Sequence, residues 1–375
     1  MNMLYIHIPF CKSRCIYCNF FSSVNQNFKD RYVDALCSEL VLRKNYLPDN
    51  KLDTIYFGGG TPSLLLQEDF EKIFDTVSRN FVVEQNAEIT LECNPEDITL
   101  NYADLLKSFP FNRISIGIQS FNDDELKFLN RRHDAQKAKN SVKILQNHGF
   151  GNISVDLMYS LPNQTLKSWQ NTINKAINLN VRHISAYSLS YEQGTKLSLL
   201  RHKKEISELS QEMSEKFFNT LITKLKGVGL EHYEISNFSA PDFHSRHNSG
   251  YWHGANYLGV GASAHSFDGN CRQWNVSDIE KYCKSVENNC TLFEKEVLSE
   301  TEKYNEQVFL SLRTDKGIDL AKLEFCFGKD SLEYCMQNAE KHLKNSVLEL
   351  KNNRLKLTER GVFISDGIMS DLMRQ

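Results

Sequence analysis

Several things are missing from this sequence, and each absence closes off a class of protein. No apolar run approaches the roughly 18 residues that a membrane-spanning helix needs. The net charge is only −3, so no global excess of either sign argues for nucleic acid or an anionic membrane surface as the partner. The opening residues lack the basic stretch followed by an apolar one that marks a signal peptide, and the expected location is cytoplasmic. Internal repeats and low-complexity linkers are absent as well. What remains is a chain of 375 residues with 41% hydrophobic and 24% charged residues, long enough for a large α/β core plus a smaller appendage.

Cysteine is present but unevenly distributed. Of ten cysteines only Cys11, Cys15 and Cys18 cluster, spaced C-x3-C-x2-C. A cytoplasmic protein uses such a cluster for metal more readily than for disulfides. Structural zinc asks for four closed ligands in paired knuckles, and no second knuckle exists here. Cys37 falls in a helical pattern, and the other six show no recurring ligand spacing, so these read as small buried apolar residues.

The first two-thirds alternates strand and helix. Strands are expected at Met3–Pro9, Leu52–Phe57, Ala87–Glu92, Arg113–Ile118, Ile153–Met158 and His183–Leu189. Helical patterns lie between them, and Lys203–Lys226 reads as one long charged helix. Strands alternating with helices of this length form right-handed βαβ units and a parallel sheet. Six units make an incomplete barrel related to the eight-stranded (β/α) form. In such barrels chemistry gathers at the C-terminal strand ends. The cysteine loop, Gly58–Thr61, Glu92, Gln119 and Asp156 all fall there.

Residues 1–230 are therefore expected to form the barrel, 231–299 a connecting segment, and 300–375 a mostly helical, winged-helix-like domain with a short hairpin. Residues 301–375 carry 12 Lys+Arg against 12 Asp+Glu, so the DNA-binding role of a winged helix is not expected. Gly259–Ala264 matches G-x-G-x-x-A, but the preceding residues make a poor strand and the dinucleotide reading fails its context.

The cysteine spacing resembles the signature of the radical S-adenosylmethionine (SAM) superfamily. That resemblance implies three thiolates on a 4Fe-4S cluster, one iron left open for SAM, and an electron donor for reductive SAM cleavage. Tyr17, between the last two cysteines, matches the aromatic that packs on SAM, and Tyr5 matches a further contact. Gly59, Gly60 and Thr61, in Gly-Gly-Gly-Thr-Pro, match the segment near the SAM amino group. The frames around Glu92, Gln119, Arg131 and Asp156 resemble SAM-binding frames of the anaerobic coproporphyrinogen oxidases and of their heme-chaperone relatives. Carboxylates suit ribose hydroxyls or an ammonium, and arginine suits a carboxylate. Arg131 is preferred over Arg132 by its spacing from Asp134.

Three features separate the two relatives. The oxidases carry a fourth cysteine where Phe20 stands, and they have a longer segment before the cluster than the ten residues here. His247–Trp252 fits H-N-x-x-Y-W, a pattern of the chaperone branch. The resemblance thus implies a chaperone that binds heme, with His247 the expected iron ligand. The resemblance further implies transfer of heme to a recipient hemoprotein, expected to be a membrane respiratory enzyme reached by peripheral contact. Homodimerisation is left open. The alternative is oxygen-independent oxidation of coproporphyrinogen III.

Overall fold

The computed structural model describes all 375 residues. The chain begins β1 (Asn2–Ile8), α1 (Lys29–Leu42), β2 (Lys51–Gly59), α2 (Gln67–Asn80), β3 (Val82–Cys93) and α3 (Leu100–Lys107). It continues with β4 (Arg113–Gln119), α4 (Asp123–Phe128), α5 (Ala135–Asn147), β5 (Ile153–Tyr159), α6 (Leu166–Ile177) and β6 (His183–Ser188). These six strands pair in chain order and in parallel, which is the expected incomplete barrel.

Alternation along the strands decides what faces what. Leu4, Ile6 and Ile8 of β1, Ile55 and Phe57 of β2, and Ile114, Ile116 and Ile118 of β4 face the helices and join the main apolar core. The alternate positions face the barrel interior, and they are unusually polar: Tyr5 and His7, Thr54 and Tyr56, Glu88, Thr90 and Glu92, Arg113 and Ser115, Ser154 and Asp156. Barrels whose interior serves only stability are filled by branched aliphatics instead.

The stretch expected as one helix is two, α7 (Lys196–His202) and α8 (Gln211–Lys226). Ser210 caps the second by accepting from the Met213 N–H, which starts a new helix inside the charged run.

Residues 231–299 do more than connect. β7 (Glu231–Glu234) and β8 (Asn237–Ser239) form a hairpin that adds antiparallel to β6. After α9 (Arg246–Trp252), β9 (Asn256–Val260) pairs parallel with β1 on the opposite edge. β10 (His265–Phe267), β11 (Cys271–Asn275), α10 (Ile279–Glu287) and β12 (Phe293–Val297) follow, and the strands continue that edge. The result is a single 12-stranded sheet, with both edges of the parallel barrel extended by one segment. Gly259 and Gly261 sit where a Cβ would lie 2.0 Å from the His265 carbonyl oxygen and 2.4 Å from the Tyr32 hydroxyl. Those glycines serve close packing. Nearby, the buried Glu39 carboxylate accepts from the Gly261 N–H, Asn275, Tyr282 and Arg43, which ties this edge to α1.

The last part contains α11 (Glu300–Leu312), β13 (Ile318–Asp319), α12 (Leu320–Phe327), α13 (Lys329–Lys344), β14 (Leu348–Lys351), β15 (Arg354–Leu357), α14 (Glu359–Val362) and α15 (Ser365–Leu372). The expected hairpin is β14–β15, joined by the short β13, and the helices pack on it around a separate core. No helix is long and apolar enough to cross a membrane.

Candidate functional site

A cavity of about 450 Å³ opens at the C-terminal ends of the barrel strands. Cys11, Cys15, Cys18 and Tyr17 line it on one side, and Gly59, Gly60, Thr61, Glu92, Gln119, Arg131 and Asp156 line the rest. Eleven positions read from the sequence thus share one space. Tyr5 is not among the lining residues; its hydroxyl bonds His7 Nδ1 at 3.0 Å, one layer down.

The cysteine loop is fastened to its surroundings. The Cys11 N–H donates to the Ser23 carbonyl at 2.9 Å, and the Ser23 N–H donates back to Pro9. His7 Nε2 bonds the Phe21 carbonyl at 3.0 Å. Gly60 lets the next loop approach closely: a Cβ there would stand 2.9 Å from backbone atoms of Ile8, Pro9 and Phe10. Gly59 has φ +112°, a left-handed conformation that other residues adopt only with strain.

Polar side chains orient one another across the cavity. Thr61 donates to Cys11 Sγ at 3.3 Å and accepts from Asn94. Arg131 reaches Cys15 Sγ at 3.3 Å, Asn94 Oδ1 at 2.7 Å and the Gly117 carbonyl at 2.6 Å, while its buried Nε has no partner. Arg132 also reaches the cavity rim, where it is more exposed and pairs with Glu96 at 3.7 Å. Gln119 has φ 69° and lies where the β4–β5 register shifts, so a local bulge re-aims it into the cavity.

Two carboxyls form the floor. Glu92 accepts from the Tyr56 hydroxyl at 2.7 Å and the Gly59 N–H at 3.2 Å. Enclosure away from water pushes its pKa up to about 7, against the pull of the Tyr56 hydrogen bond and with help from Asp156. Asp156 accepts from Ser115 at 3.3 Å on both oxygens, and burial raises its pKa too.

The donor set fits the cofactors that the spacing implies. No three side chains converge tightly enough to hold a single metal ion. Cys11, Cys15 and Cys18 all line the cavity and lie near enough to feel one another's charge, a donor set that would hold an iron–sulfur cluster. One guanidinium and a pair of carboxyls on the same cavity suit a ligand that carries both a carboxylate and cationic groups, as SAM does.

His247 lies apart from the cavity. It lies in α9, 1% exposed, with Nδ1 on Thr54 Oγ1 at 2.7 Å and Nε2 on the Tyr251 hydroxyl at 3.0 Å. Its ring stacks on Tyr56, and burial drives its pKa down to about 3. Both nitrogens are engaged inside the protein. The helix plugs the N-terminal end of the barrel. Glu88 holds the plug by accepting from the Arg246 and His247 backbone N–H groups, at 3.0 and 2.9 Å. At its far end Trp252 lies under the Arg313 guanidinium of the C-terminal part, 5.2 Å from the ring centroid.

Sequence reasoning missed Asn94, Ser115 and Tyr187 at the cavity. Ser115 and Tyr187 were legible as the inward positions of their strands, but Asn94 gave no signal before its bond to Arg131 was seen.

A parallel half-open barrel with three cysteines in the loop after its first strand defines a radical SAM protein, and the comparisons agree. The radical SAM superfamily profile matches residues 5–176, and that of the HemN C-terminal domain matches 298–364. The heme chaperone HemW of Bacillus subtilis is 33% identical over 98% of both chains, and that of Lactococcus lactis is 31% identical over 99% of this chain and 97% of its own. The solved coproporphyrinogen III oxidase (HemN) of Escherichia coli superposes with a TM-score of 0.85 at 23% identity, over 99% of this chain and 90% of that one. The chain belongs to the HemW family within the radical SAM superfamily.

Proposed function

We propose that this protein is a heme chaperone. It binds a 4Fe-4S cluster through Cys11, Cys15 and Cys18, and SAM through Glu92, Gln119, Arg131 and Asp156, with Gly59, Gly60, Thr61 and Tyr17 shaping the pocket. It accepts heme and transfers it to a hemoprotein, with a membrane respiratory enzyme as the recipient met by peripheral contact from the cytoplasm. The observation that carries this reading is similarity along the full chain to relatives named heme chaperone. Phe20, 64% exposed at the cavity mouth where the oxidases would place a cysteine, supports it. In the bound state the cluster would supply an electron to SAM. The chain's own residues hold the carboxylate and cationic groups of SAM and shield them from bulk water.

The test is anaerobic. Reconstituted protein receives SAM, reductant and coproporphyrinogen III, and heme is titrated in parallel. Heme retained through washing and passed to an apo-hemoprotein, without decarboxylation, is the expected result. Protoporphyrinogen formed at a catalytic rate would refute the chaperone reading in favour of the oxidase.

A further inference from the structure

One buried charge in the barrel has no partner. Arg113 is 1% exposed, its Nε has no hydrogen-bond partner, and it belongs to none of the molecule's ion pairs. A guanidinium this deeply buried and outside any ion pair is costly, so its retention calls for a reason. Its position supplies one. Arg113 and Ser115 occupy successive inward positions of β4, and Ser115 donates to Asp156 and lies in register with Glu92. Arg113 therefore sits one layer beneath the cavity floor. Its own register neighbour is Thr90, whose hydroxyl is likewise buried and unpaired.

The groups around Arg113 come from every side of the barrel. Its charge is felt by Tyr56 of β2, Glu92 of β3, Asp156 of β5, His183 of β6, Tyr233 of β7 and His247 of α9. Burial keeps the histidines neutral and the tyrosines protonated, as it does Tyr251. Glu88 is engaged by the N-terminus of α9. Arg131 is the other cation that acts on Asp156. Glu88 and Glu234 are the other buried carboxyls near Tyr233, while Glu92 and Asp156 are the two whose ionisation Arg113 favours.

We propose that Arg113 is a positioning residue whose unpaired guanidinium, sealed beneath the floor, lets Glu92 and Asp156 stand together as carboxylates and receive a cationic ligand. This rests on the reading that those carboxylates meet SAM. Two carboxyls that share one enclosure oppose each other's ionisation. A fixed cation below them relieves that opposition without occupying the cavity. Arg113 touches no ligand itself; it acts through the pair.

The test compares wild type, Arg113→Met and Arg113→Lys, each with its cluster reconstituted. SAM binding is measured from pH 6 to pH 9, with S-adenosylhomocysteine, which lacks the sulfonium charge, as a second ligand. Methionine fills the space without charge, so thermal stability is expected to be kept or raised. SAM affinity is expected to fall about threefold at pH 7.5 and about tenfold at pH 6, the effect of roughly one pKa unit at the carboxyl pair. The rise of affinity with pH moves about one unit higher, S-adenosylhomocysteine loses less, and Arg113→Lys restores most of the affinity. Wild-type affinity and pH profile in a folded Arg113→Met would overturn the proposal, as would a lysine variant no better than methionine. If wild type binds no SAM at any pH, the reading beneath the proposal fails and takes it along.

Discussion

Replacing His247 by leucine separates a barrel plug from a heme ligand. The imidazole joins Thr54 of β2 to Tyr251 of its own helix. Leucine fills similar space but leaves two hydroxyls without a partner, at about 1–3 kcal/mol each where water cannot reach them. The variant is therefore expected to be about 2–5 kcal/mol less stable at pH 7.5. The pH dependence carries the sharper signature. The pKa of His247 is lowered from 6.5 to about 3 by burial, so the folded state keeps it neutral while the unfolded chain takes up a proton below 6.5. That stability is present above pH 6.5 and is lost as pH falls toward 3, amounting to about 2 kcal/mol at pH 5. Leucine has no proton to take up, whereas His7, His183 and His232 titrate alike in both proteins and cancel in the difference. The gap between wild type and variant should thus narrow by about 2 kcal/mol between pH 7.5 and pH 5. Urea denaturation followed by circular dichroism at the two pH values measures it, with heme titrations on the same samples. An unchanged gap would refute the plug argument, and so would heme affinity abolished in a variant that is as stable as wild type.

Other expectations concern the cavity. Arg131→Met removes the guanidinium that lines the cavity beside Cys15 and should weaken SAM binding about 10- to 100-fold, measured by equilibrium titration. Gly60→Ala puts a methyl 2.9 Å from three backbone atoms that cannot swing aside; a loss of more than about 2 kcal/mol and poor iron incorporation are expected from denaturation curves and iron analysis. Thr61→Val removes the hydroxyl that donates to Cys11 Sγ and should lower the reduction potential of a reconstituted cluster, read by potentiometric titration. Glu92 has its pKa raised to about 7, so its protonated form favours the fold, and that contribution is lost as pH rises from 4.5 through 7. Once about 1 kcal/mol is allowed for the acceptor lost opposite Gly59, cofactor-free Glu92→Gln should be about 2 kcal/mol more stable than wild type above pH 8 and about 1 kcal/mol less stable below pH 4.5.

The parallel barrel was legible because its strands and helices are short, local and periodic. β1 through β6 fall within a few residues of their expected bounds, apart from a longer β3. The sheet extension was not legible. β7 to β12 are short, several have only three to five residues, and β9 finds β1 across some 250 residues of sequence. No local pattern announces such a pairing. The break between α7 and α8 was also hidden, since a charged run with helical spacing looks continuous until a serine cap interrupts it.

By itself the sequence determined the ligand chemistry. Three cysteines within eight residues can only be neighbours in space, and residues at successive strand ends of a parallel barrel must share one rim. Tyr5 shows the limit of that inference, since its alternation places it inward but one layer too deep to line the cavity. Tertiary structure alone decided what the interior charges do. His-Asn-x-x-Tyr-Trp reads as a ligand motif, yet whether an imidazole meets iron or a threonine depends on which surface its helix packs against. Arg113 is ordinary in the sequence and becomes conspicuous only when the barrel closes around it. Spacing along the chain sets which groups can meet, while burial and partnering, which are properties of the packed whole, set their charge and their use.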